Sequence, residues 1–334
     1  MKQWLLLIGI ISVVSAGVTL AVAQSTNAQT SPNEQGQALE IAPPVISQAI
    51  APGQTITTQL SLRNVSSGPL IVSGQVNDFV AAGEDGTPKI LLDDNESADN
   101  PYSLREWVAP LPELRLKSRE INNLPVKISV PANAAPGGYY AVVRFTATPP
   151  ELEGTGVSLS ASLGSLLLIT VKGDAKVGME VEEFSIGKDG KAGSVFQSKP
   201  LEFTQRLKNT GNIHLQPAGQ VTVKDIFGKV IATVNINLPP GNILPNSTRK
   251  FTQPLDSSVL GNRYLFGRYT AELNASYGAN NQVVSSSLSF WVIPYTLIGV
   301  IIAILVIGFL ALRLFVKRYN AHIIQQAQKK KKKK

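Results

Sequence analysis

Few residues in this chain could carry out acid–base or nucleophilic chemistry. The 334 residues include no cysteine and two histidines, His214 and His322. Without cysteine there is no thiol nucleophile, no thiolate-bound metal and no iron–sulfur cluster. A Ser-His-Asp triad would have to use His214, which follows the turn-like string NTGNI and has no supporting motif nearby. P-loop, G-x-G-x-x-G, G-x-S-x-G and zincin motifs do not occur, so we expect a non-enzymatic protein that holds no cofactor.

Several acidic side chains are grouped in the string DDNESADNP, residues 93–101. Their carboxylate and amide oxygens are ligands that Ca²⁺ accepts. The spacing does not fit an EF-hand loop, and polar loops are common on protein surfaces. We therefore predict a solvated acidic loop and no metal site. A catalytic pair of carboxylates, as in glycoside hydrolases, stays open because residues distant in sequence can supply it.

Two aromatic residues next to this loop are candidates for a ligand platform. Tyr102 and Trp107 lie in the string YSLREWV, and aromatic side chains dominate the energetics of many binding surfaces. The alternative is structural: Trp107 fills the open end of a β-sandwich and Tyr102 covers it, because a tryptophan buries a large apolar area. The sequence favours the structural role, and both residues stay candidates for ligand binding.

β-Strands must position these side chains, because the hydrophobic pattern of residues 39–172 has a period of two. Alternating runs occur at 54–64, 123–131, 139–148 and 157–171, separated by Gly, Pro and Asn clusters. Short alternating strands with regular turn signals predict an antiparallel β-sandwich. Residues 83–107 interrupt the pattern, and Asp85-Gly86 within them is a hairpin-turn signal.

The second half, residues 177–292, repeats this scheme after a short joint at 173–176. Strands are predicted at 201–209, 230–238, 269–275 and 285–292. In the run from Val230 to Leu238, every second residue is expected on one buried face.

Short strings recur in the two halves, which predicts two copies of one Ig-like sandwich. LSLRNVSSG, residues 60–68, corresponds to QRLKNTGN, residues 205–212. In both, a strand ends in a basic residue followed by an asparagine, which closes a strand by adopting a left-handed conformation or by bonding its own backbone.

A second pair of strings also corresponds: PGGYYAVV at 136–143 and FGRYTAEL at 266–273. In each, a glycine expected at positive φ precedes a tyrosine at the start of a strand. Such a tyrosine can bond back to the preceding backbone as a tyrosine corner. The candidates are Tyr139 or Tyr140, and Tyr269.

A long apolar run follows the second sandwich, and residues 290–312 contain no charge. This length crosses a bilayer core of about 30 Å, so we predict a transmembrane helix at 293–315. The basic segment 316–334, with its six terminal lysines, is placed in the cytoplasm and the preceding chain outside. The side chains expected at the two membrane interfaces are Trp291, Tyr295, Arg313, Lys317 and Arg318.

Residues 1–23 have the pattern of a cleaved secretory signal peptide. Lys2 precedes an apolar run that ends in Ala21-Val22-Ala23, an A-x-A cleavage site. An uncleaved N-terminal anchor is the alternative. Residues 24–38 are polar and aperiodic and are predicted to be a flexible leader.

The net charge of +8 is concentrated in the C-terminal segment. Residues 24–292, between the predicted signal peptide and the apolar helix, contain 21 basic and 23 acidic residues, a net charge of −2. The high pI therefore does not indicate nucleic-acid binding, and the basic tail suits an anionic inner leaflet.

Two strings of the first half occur together in an arrangement that resembles the WxL-interacting protein family: DGTP…YSLREWV within 85–108, and VKISVPANAAPGGYYAVVRF at 126–145. The order of leader, two Ig-like domains, one transmembrane helix and a basic tail is similar to that family over nearly the whole chain. The resemblance implies a non-enzymatic cell-envelope protein of a Gram-positive-like bacterium. It implies peptidoglycan binding by the first domain and host or matrix binding by the second, and it assigns no binding residue here.

The sequence thus predicts an all-β protein with two tandem Ig-like antiparallel β-sandwiches, at 39–172 and 177–292, plus one C-terminal transmembrane helix. At the cell membrane, the outer sandwich is expected to bind cell-wall peptidoglycan or another surface protein, and 293–315 to contact the lipid bilayer. No nucleic-acid partner is expected. The alternatives are a structural or chaperone-like envelope subunit that positions a partner complex, and a carboxylate-dependent cell-wall hydrolase.

Overall fold

A computed structural model describes residues 39–150 and 161–331. The predicted signal peptide at 1–23 and the leader at 24–38 lie outside the described residues. Within the described part, strands form nearly all of the regular structure before Val292, and one long helix follows.

Nine strands build the first sandwich. They are β1 (Leu39–Ala42), β2 (Val45–Ile50), β3 (Thr55–Asn64), β4 (Leu70–Ala81), β5 (Pro88–Leu91), β6 (Leu114–Leu116), β7 (Ile121–Ser129), β8 (Gly137–Thr148) and β9 (Ala161–Val171). A short helix, α1 (Asp94–Ala98), and a 3-10 turn (Arg105–Trp107) lie between β5 and β6. One sheet has the order β1-β3-β7, and the other has the order β2-β9-β8-β4-β5 with β6 also paired to β4.

Nine further strands build the second sandwich. They are β10 (Met179–Lys188), β11 (Lys191–Ala192), β12 (Val195–Phe196), β13 (Leu201–Asn209), β14 (Ala218–Lys224), β15 (Val230–Ile236), β16 (Thr248–Leu255), β17 (Gly267–Tyr277) and β18 (Gln282–Val292). The short helix α2 (Ser257–Leu260) precedes β17, and α3 (Tyr295–Lys331) follows β18. The two sheets have the orders β11-β10-β13-β16 and β12-β18-β17-β14-β15.

In both sandwiches the first strand pairs in one sheet, and a later short strand pairs in the opposite sheet. β1 pairs with β3, whereas β2 crosses to the opposite sheet and runs parallel to β9. In the second sandwich β10 pairs with β13, and β12 runs parallel to β18. The remaining ladders between the described strands are antiparallel. The predicted pair of Ig-like antiparallel sandwiches followed by one apolar helix is confirmed.

Each sandwich encloses its own hydrophobic core. In the first, Leu60, Leu62 and Phe145 are fully buried between the two sheets. In the second, the ring of Phe290 lies 5.6 Å from that of Tyr269 in a stacked arrangement. Fully burying a side chain of this size contributes roughly 1.5–3 kcal/mol relative to leaving it exposed.

The period-two pattern locates most strands correctly, but it is wrong at both ends of the run 230–238. Val230 and Leu238 are 49% and 67% exposed, although they share the predicted face with buried residues. The β14–β15 register shifts beside Val230, which turns its side chain outward. At the other end Asn237 has a φ of 55°, so the chain leaves the sheet before Leu238.

The segment predicted to interrupt the first sandwich contains more regular structure than expected. Residues 88–91 form β5 on the edge of the large sheet, and α1 and the 3-10 turn follow. Short elements of this size carry too few residues for a periodic signal.

A buried asparagine closes the corresponding strand in each sandwich. Asn64 and Asn209 have no exposed surface. Each side-chain Nδ2 donates to the carbonyl four residues ahead, Gly68 at 2.8 Å and Ile213 at 2.7 Å, and to carbonyls of a distant connection. Each Oδ1 accepts from the backbone N–H two residues on. The repeated string is therefore a shared device that satisfies buried backbone groups.

Both predicted tyrosine corners are present. The Tyr139 hydroxyl donates to the carbonyl of Ala135 at 3.1 Å, and the Tyr269 hydroxyl donates to that of Phe266 at 3.1 Å. Tyr140 points to the opposite face of the sheet, as its position next to Tyr139 requires.

The expectation of a positive φ before these tyrosines holds at one site and fails at the other. Gly267 has a φ of 104°. Gly138 instead lies within extended β8, where a Cβ would collide with the Tyr140 hydroxyl and lie 3.2 Å from the Cα of Ile213. Glycine is needed there because the second sandwich approaches the backbone closely.

The C-terminal helix is long and apolar enough to cross a membrane. Its apolar part, Tyr295–Ala321, spans 27 residues and is not buried by the rest of the protein. Two residues, Ile293 and Pro294, separate it from β18. The helix continues to Lys331, so the basic segment predicted to follow the span is helical in its described part. Trp291 and Tyr295 at the helix start are 45% and 64% exposed.

Candidate functional site

The two sandwiches meet through an apolar cluster on the outer face of the large sheet. Phe79, Tyr140, Val142 and Leu168 are buried there, and Leu244 of the second sandwich packs against them. This explains why β8 carries large apolar residues on both faces: one face belongs to the core and the other to this junction. A cleft of about 170 Å³ borders the cluster between the sandwiches.

Backbone and side-chain hydrogen bonds fix the junction. The Gly138 N–H donates to the carbonyl of Asn212 at 2.7 Å, and the Asn212 amide donates to the carbonyl of Pro136 at 2.9 Å. On another side of the junction, the Lys250 N–H donates to the Glu84 carbonyl at 2.7 Å. Because backbone groups of both sandwiches are paired with each other, separating the sandwiches would expose them.

A charged pair adds to these contacts. Both Nε and Nη2 of Arg206 donate to the carboxylate of Glu84, the former at 2.8 Å. This bidentate bond lowers the pKa of Glu84 and raises that of Arg206. Glu182 lies 3.2 Å from the same guanidinium. Because the ions are partly exposed, the pair contributes little to the stability of the junction. Its main effect is to fix the relative positions of the two residues.

His214 lies at this junction and not in a solvated turn. Its Nε2 is 2.9 Å from the Ser47 hydroxyl, and its ring meets that of Tyr140 edge-on at 5.8 Å. Burial lowers the pKa of His214 to about 4. No described residue bonds Nδ1, so the Ser–His contact lacks the orienting third group of a triad. An imidazole with this pKa is also a weak general base at neutral pH.

Two of the acidic side chains in the first sandwich have structural roles. Burial raises the pKa of Asp78, but this residue is 1% exposed and bonds Ser103, so substrate has no access to it. In the acidic loop, Asp93 accepts from the N–H of Asn95 as the N-cap of α1. No group of three or more His, Cys, Asp or Glu able to hold a metal ion is found among the described residues.

The structure places Tyr102 and Trp107 in different clusters. The Tyr102 hydroxyl accepts from the Asn246 amide of the second sandwich at 2.9 Å, so this residue belongs to the junction. Trp107 is half-buried against the first core, with its ring 4.2 Å from that of Tyr139. The structure therefore does not bring them together as one platform. Their role in ligand binding stays a prediction.

An open strand edge lies on the first sandwich, at residues 161–165 of β9. β2 covers β9 from Leu166 onward. The Leu166 N–H donates to the carbonyl of Pro44, just before β2, and the Lys172 N–H donates to that of Ile50. Backbone groups alternate along a strand, so those of Ser162 and Gly164 point to the same side. On that side, no described residue forms a hydrogen bond with the backbone groups of Ser162 or Gly164. Both residues are exposed. We call residues 161–165 the β9 edge.

Other edges are protected in ways that the β9 edge is not. The edge strand β7 contains Pro125, and its Lys127 carbonyl accepts from a neighbouring loop. β16 contains Pro254 and is covered at Lys250. The β9 edge has no charge and no proline, which are two of the features that natural proteins use to block strand addition.

β18 is similarly open between Gln282 and Ser289 among the described strands. It differs from the β9 edge in leading directly into α3. On one face its exposed side chains are three serines, Ser285, Ser287 and Ser289, and one larger residue, Val283, near the β17–β18 turn. The serines offer little side-chain surface for recognition.

A polar pocket lies on the outer face of the large sheet, over β8 and β4, so β9 separates it from the open side of the β9 edge. It has a volume of about 450 Å³ and is lined by Gln75, Val76, Asn77, Leu92, Arg105 and Arg144. Arg144 is directly opposite Gly164 in the ladder, and its Nη2 donates to Gln75 at 2.5 Å. The Nε of Arg144 and the Oδ1 of Asn77 are buried without a hydrogen-bond partner among the described residues. We call this the Arg144 pocket.

The pocket has unused hydrogen-bonding capacity for a ligand group. A buried donor and a buried acceptor without partners cost about 1–3 kcal/mol each. A bound amide could pair with both, whereas a carboxylate would pair only with the Arg144 Nε. At Gly164 the space that a Cβ would take is occupied by the Val142 side chain, whose Cγ2 would lie 2.7 Å away, so the glycine itself opens no path to Arg144. The sequence gives little sign of this site, because its residues come from four separate parts of the chain.

No protein-family model and no curated protein matches the sequence. Among solved structures, the chain is similar to the YadV chaperone, with 12% identity, a TM-score of 0.36 and coverage of 76% of this chain and 100% of that one. It is similar to the class 5 fimbriae chaperone CfaA, with 13% identity, a TM-score of 0.39 and coverage of 75% and 98%. A protein of unknown function from Porphyromonas gingivalis W83 has 15% identity, a TM-score of 0.29 and coverage of 77% and 100%. Likeness of this degree carries no argument about function.

Proposed function

We propose that this chain is a non-enzymatic, membrane-anchored surface protein whose first sandwich binds an extended segment of a partner protein. The observation that carries the proposal is the β9 edge, whose outward backbone groups no described residue pairs with. An added strand would bond Ser162 and Gly164, and a long amide or carboxylate side chain of the partner would reach over β9 to the Arg144 pocket. This is recognition by strand addition, in which the backbone supplies affinity and side-chain pockets supply specificity.

The anchor in this proposal is α3. From Tyr295 to Arg313 a helix rises about 27 Å, which matches the hydrocarbon core. Arg313, Lys317 and Arg318 then lie at the inner interface, and the basic tail lies in the cytoplasm. The sandwiches are outside the cell. The first is farther from the membrane, because it contacts the end of the second that is remote from α3.

The open edge favours a polypeptide over a glycan as the ligand. Ser162 and Gly164 present N–H and C=O groups at the regular spacing of a strand, and another strand carries the complementary groups at the same spacing. Peptidoglycan, the other partner predicted from the sequence, offers no such repeat along its sugar chain. It is therefore the competing outcome of the test.

Site-specific crosslinking tests the proposal. The natural chain has no cysteine, so a single Ser162→Cys substitution can carry a photo-crosslinker in cells that make the protein. The matched control is Ser287→Cys on the open part of β18. We expect a polypeptide adduct from position 162, reduced by Arg144→Ala, and little from position 287.

Three results would contradict strand addition at the β9 edge. One is an adduct from position 287 alone. Another is an adduct from position 162 that does not depend on Arg144. The third is no polypeptide adduct, together with sedimentation of the full chain with insoluble peptidoglycan, which would favour glycan binding.

A structural or chaperone-like envelope subunit is the second candidate, and the junction favours it. The backbone pairing across the junction, with the Glu84–Arg206 pair, would let the chain hold a partner complex at a set position above the membrane. Such a subunit should co-purify from membranes with a partner in fixed stoichiometry. Loss of that partner in Glu84→Arg, with recovery in a Glu84→Arg, Arg206→Glu double variant, would support it.

A further inference from the structure

Exposed apolar side chains are concentrated at one end of the second sandwich. Nine large apolar residues of this sandwich are exposed. Seven of them lie at the end that leads into α3: Val195, Ile226, Phe227, Val230, Tyr264, Phe266 and Trp291. Phe227 and Tyr264 are 87% and 95% exposed, more than a soluble surface normally allows for such rings.

The strand register shows that these residues share one end. The first residue of β17, Gly267, pairs with Val292, the last residue of β18. Thr270 of β17 pairs with Lys224, so the β14–β15 turn that carries Ile226 and Phe227 lies at the same end. We call this set of loops the helix-side end.

The opposite end of the sandwich is polar in its corresponding hairpin. The β17–β18 turn there has the sequence GANNQ, residues 278–282, whereas the β14–β15 turn has the sequence DIFGK, residues 225–229. A tight hairpin does not need large apolar residues at its tip. The contrast therefore indicates that the helix-side end contacts an apolar phase.

The loop before β17 is in contact with the start of α3. Tyr264, Phe266, Thr296 and Leu297 line one cavity of about 520 Å³. The Gln197 amide donates to the Thr296 hydroxyl at 2.5 Å, so the first turn of the helix is attached to the sandwich. With α3 as a membrane span, as in the proposed function, side chains around that turn lie at the depth where the helix enters the bilayer.

Basic residues surround the apolar ones at this end. Among residues 187–200, 224–231 and 256–270, seven are basic and three are acidic. Arg263 and Arg268 flank the two aromatic residues of the loop. Aromatic rings beside Lys and Arg are the composition found at the headgroup level of bilayers.

We propose that the helix-side end is a second membrane contact, in which Phe227, Tyr264 and Phe266 insert into the outer headgroup region and hold the second sandwich against the bilayer. The proposal rests on α3 spanning the membrane, as in the proposed function. It adds a lipid surface as a partner of the sandwich itself. The occupant is the bilayer and not another protein, because the surface is continuous with the first turn of α3.

Labels at single cysteines test this contact in the full chain reconstituted into phosphatidylcholine vesicles with and without phosphatidylglycerol. The variants are Tyr264→Cys and Phe227→Cys, each with an environment-sensitive fluorophore. Val283→Cys is the control, because it is 65% exposed on β18 near the opposite end. Leu305→Cys in the middle of α3 reports whether the helix spans.

We expect collisional quenching by an aqueous quencher to be several-fold weaker at 264 and 227 than at 283. Lipid-borne quenchers should place both labels within about 5–10 Å of the headgroup–acyl boundary. Tyr264→Ser with Phe266→Ser should raise the accessibility of a label at 227.

Two results would overturn the proposal in distinguishable ways. If 264 and 227 are as accessible as 283 while 305 is protected, α3 spans but the sandwich does not dock. If 305 is accessible as well, the membrane anchor of the proposed function fails and the docking fails with it.

Discussion

Acid should destabilise this protein through His214 in particular. The junction lowers the pKa of His214 from 6.5 to about 4, because a charged imidazole would be desolvated there beside Ser47 and Tyr140. The folded state therefore resists protonation more than the unfolded state does. Its contribution to stability is full above about pH 6.5 and is lost as the pH falls toward 4.

The magnitude follows from the two pKa values. Each pKa unit corresponds to about 1.36 kcal/mol, so a shift of this size gives about 2–3 kcal/mol between pH 7.5 and pH 4.5. Carboxylates such as Glu84, whose pKa is lowered, also lose stabilising interactions in acid. The carboxylates contribute equally to the pH dependence of a variant that lacks only the imidazole. Subtracting the two pH dependences therefore leaves the contribution of His214.

Urea unfolding of the full chain in detergent micelles, at pH 7.5 and 4.5, measures this effect. His214→Gln keeps a neutral donor for Ser47 and has no group that titrates in this range. The loss of unfolding free energy between the two pH values should be about 2–3 kcal/mol smaller in His214→Gln than in the natural chain. Ser47→Ala is the control, because it removes the partner and leaves the imidazole.

Equal pH dependence in the natural chain and His214→Gln would refute the argument. It would mean that His214 is hydrated in the folded protein, and so that the sandwiches are not closed around it. Two-state unfolding is a condition of the comparison, and coincidence of tryptophan fluorescence and far-UV dichroism checks it.

Three further outcomes follow from contacts described above. Asn64→Ala and Asn209→Ala should each lower the free energy of unfolding in urea by at least about 2–3 kcal/mol, because several buried backbone groups lose their partner. A loss below about 1 kcal/mol would contradict the role of the two asparagines in bonding those groups. Gly138→Ala should open the junction and speed amide exchange at residue 138, whereas Gly68→Ala, where a Cβ meets nothing within 4 Å, should leave that exchange unchanged. Tyr139→Phe should lower stability by about 1 kcal/mol, because it removes one hydrogen bond to backbone; no change in the urea midpoint would argue against the corner.

The sequence predicts the fold well because the fold depends on local pattern. β3 and β13 have buried residues at every second position along most of their length, as expected, since one face of each sheet meets a core. The apolar run of α3 has a length that only a helix in a membrane requires. The two asparagines and the two tyrosine corners act within a few residues of themselves, so their strings recur.

The junction and the β9 edge were not predicted, because they depend on contacts between distant residues. Glu84 and Arg206 are 122 positions apart, and neither differs in sequence from a solvated charge. One signal was present: Tyr139 and Tyr140 are adjacent and must point to opposite faces. Only one can form the corner, so the other implies that the outer face of β8 is covered.

The position of the two ends of the second sandwich has a mechanical consequence. The chain enters at β10, whose first residue, Met179, pairs with Asn209 near the first sandwich. It leaves at the opposite end, where Val292 runs into α3 within two residues. Tension between a bound partner and the membrane would therefore act along the strands. The ladder of β17 and β18, eleven paired residues long, would carry that force in shear, with its hydrogen bonds loaded together and not one after another. A protein built in this way can transmit a sustained pull to its anchor without unravelling from that end.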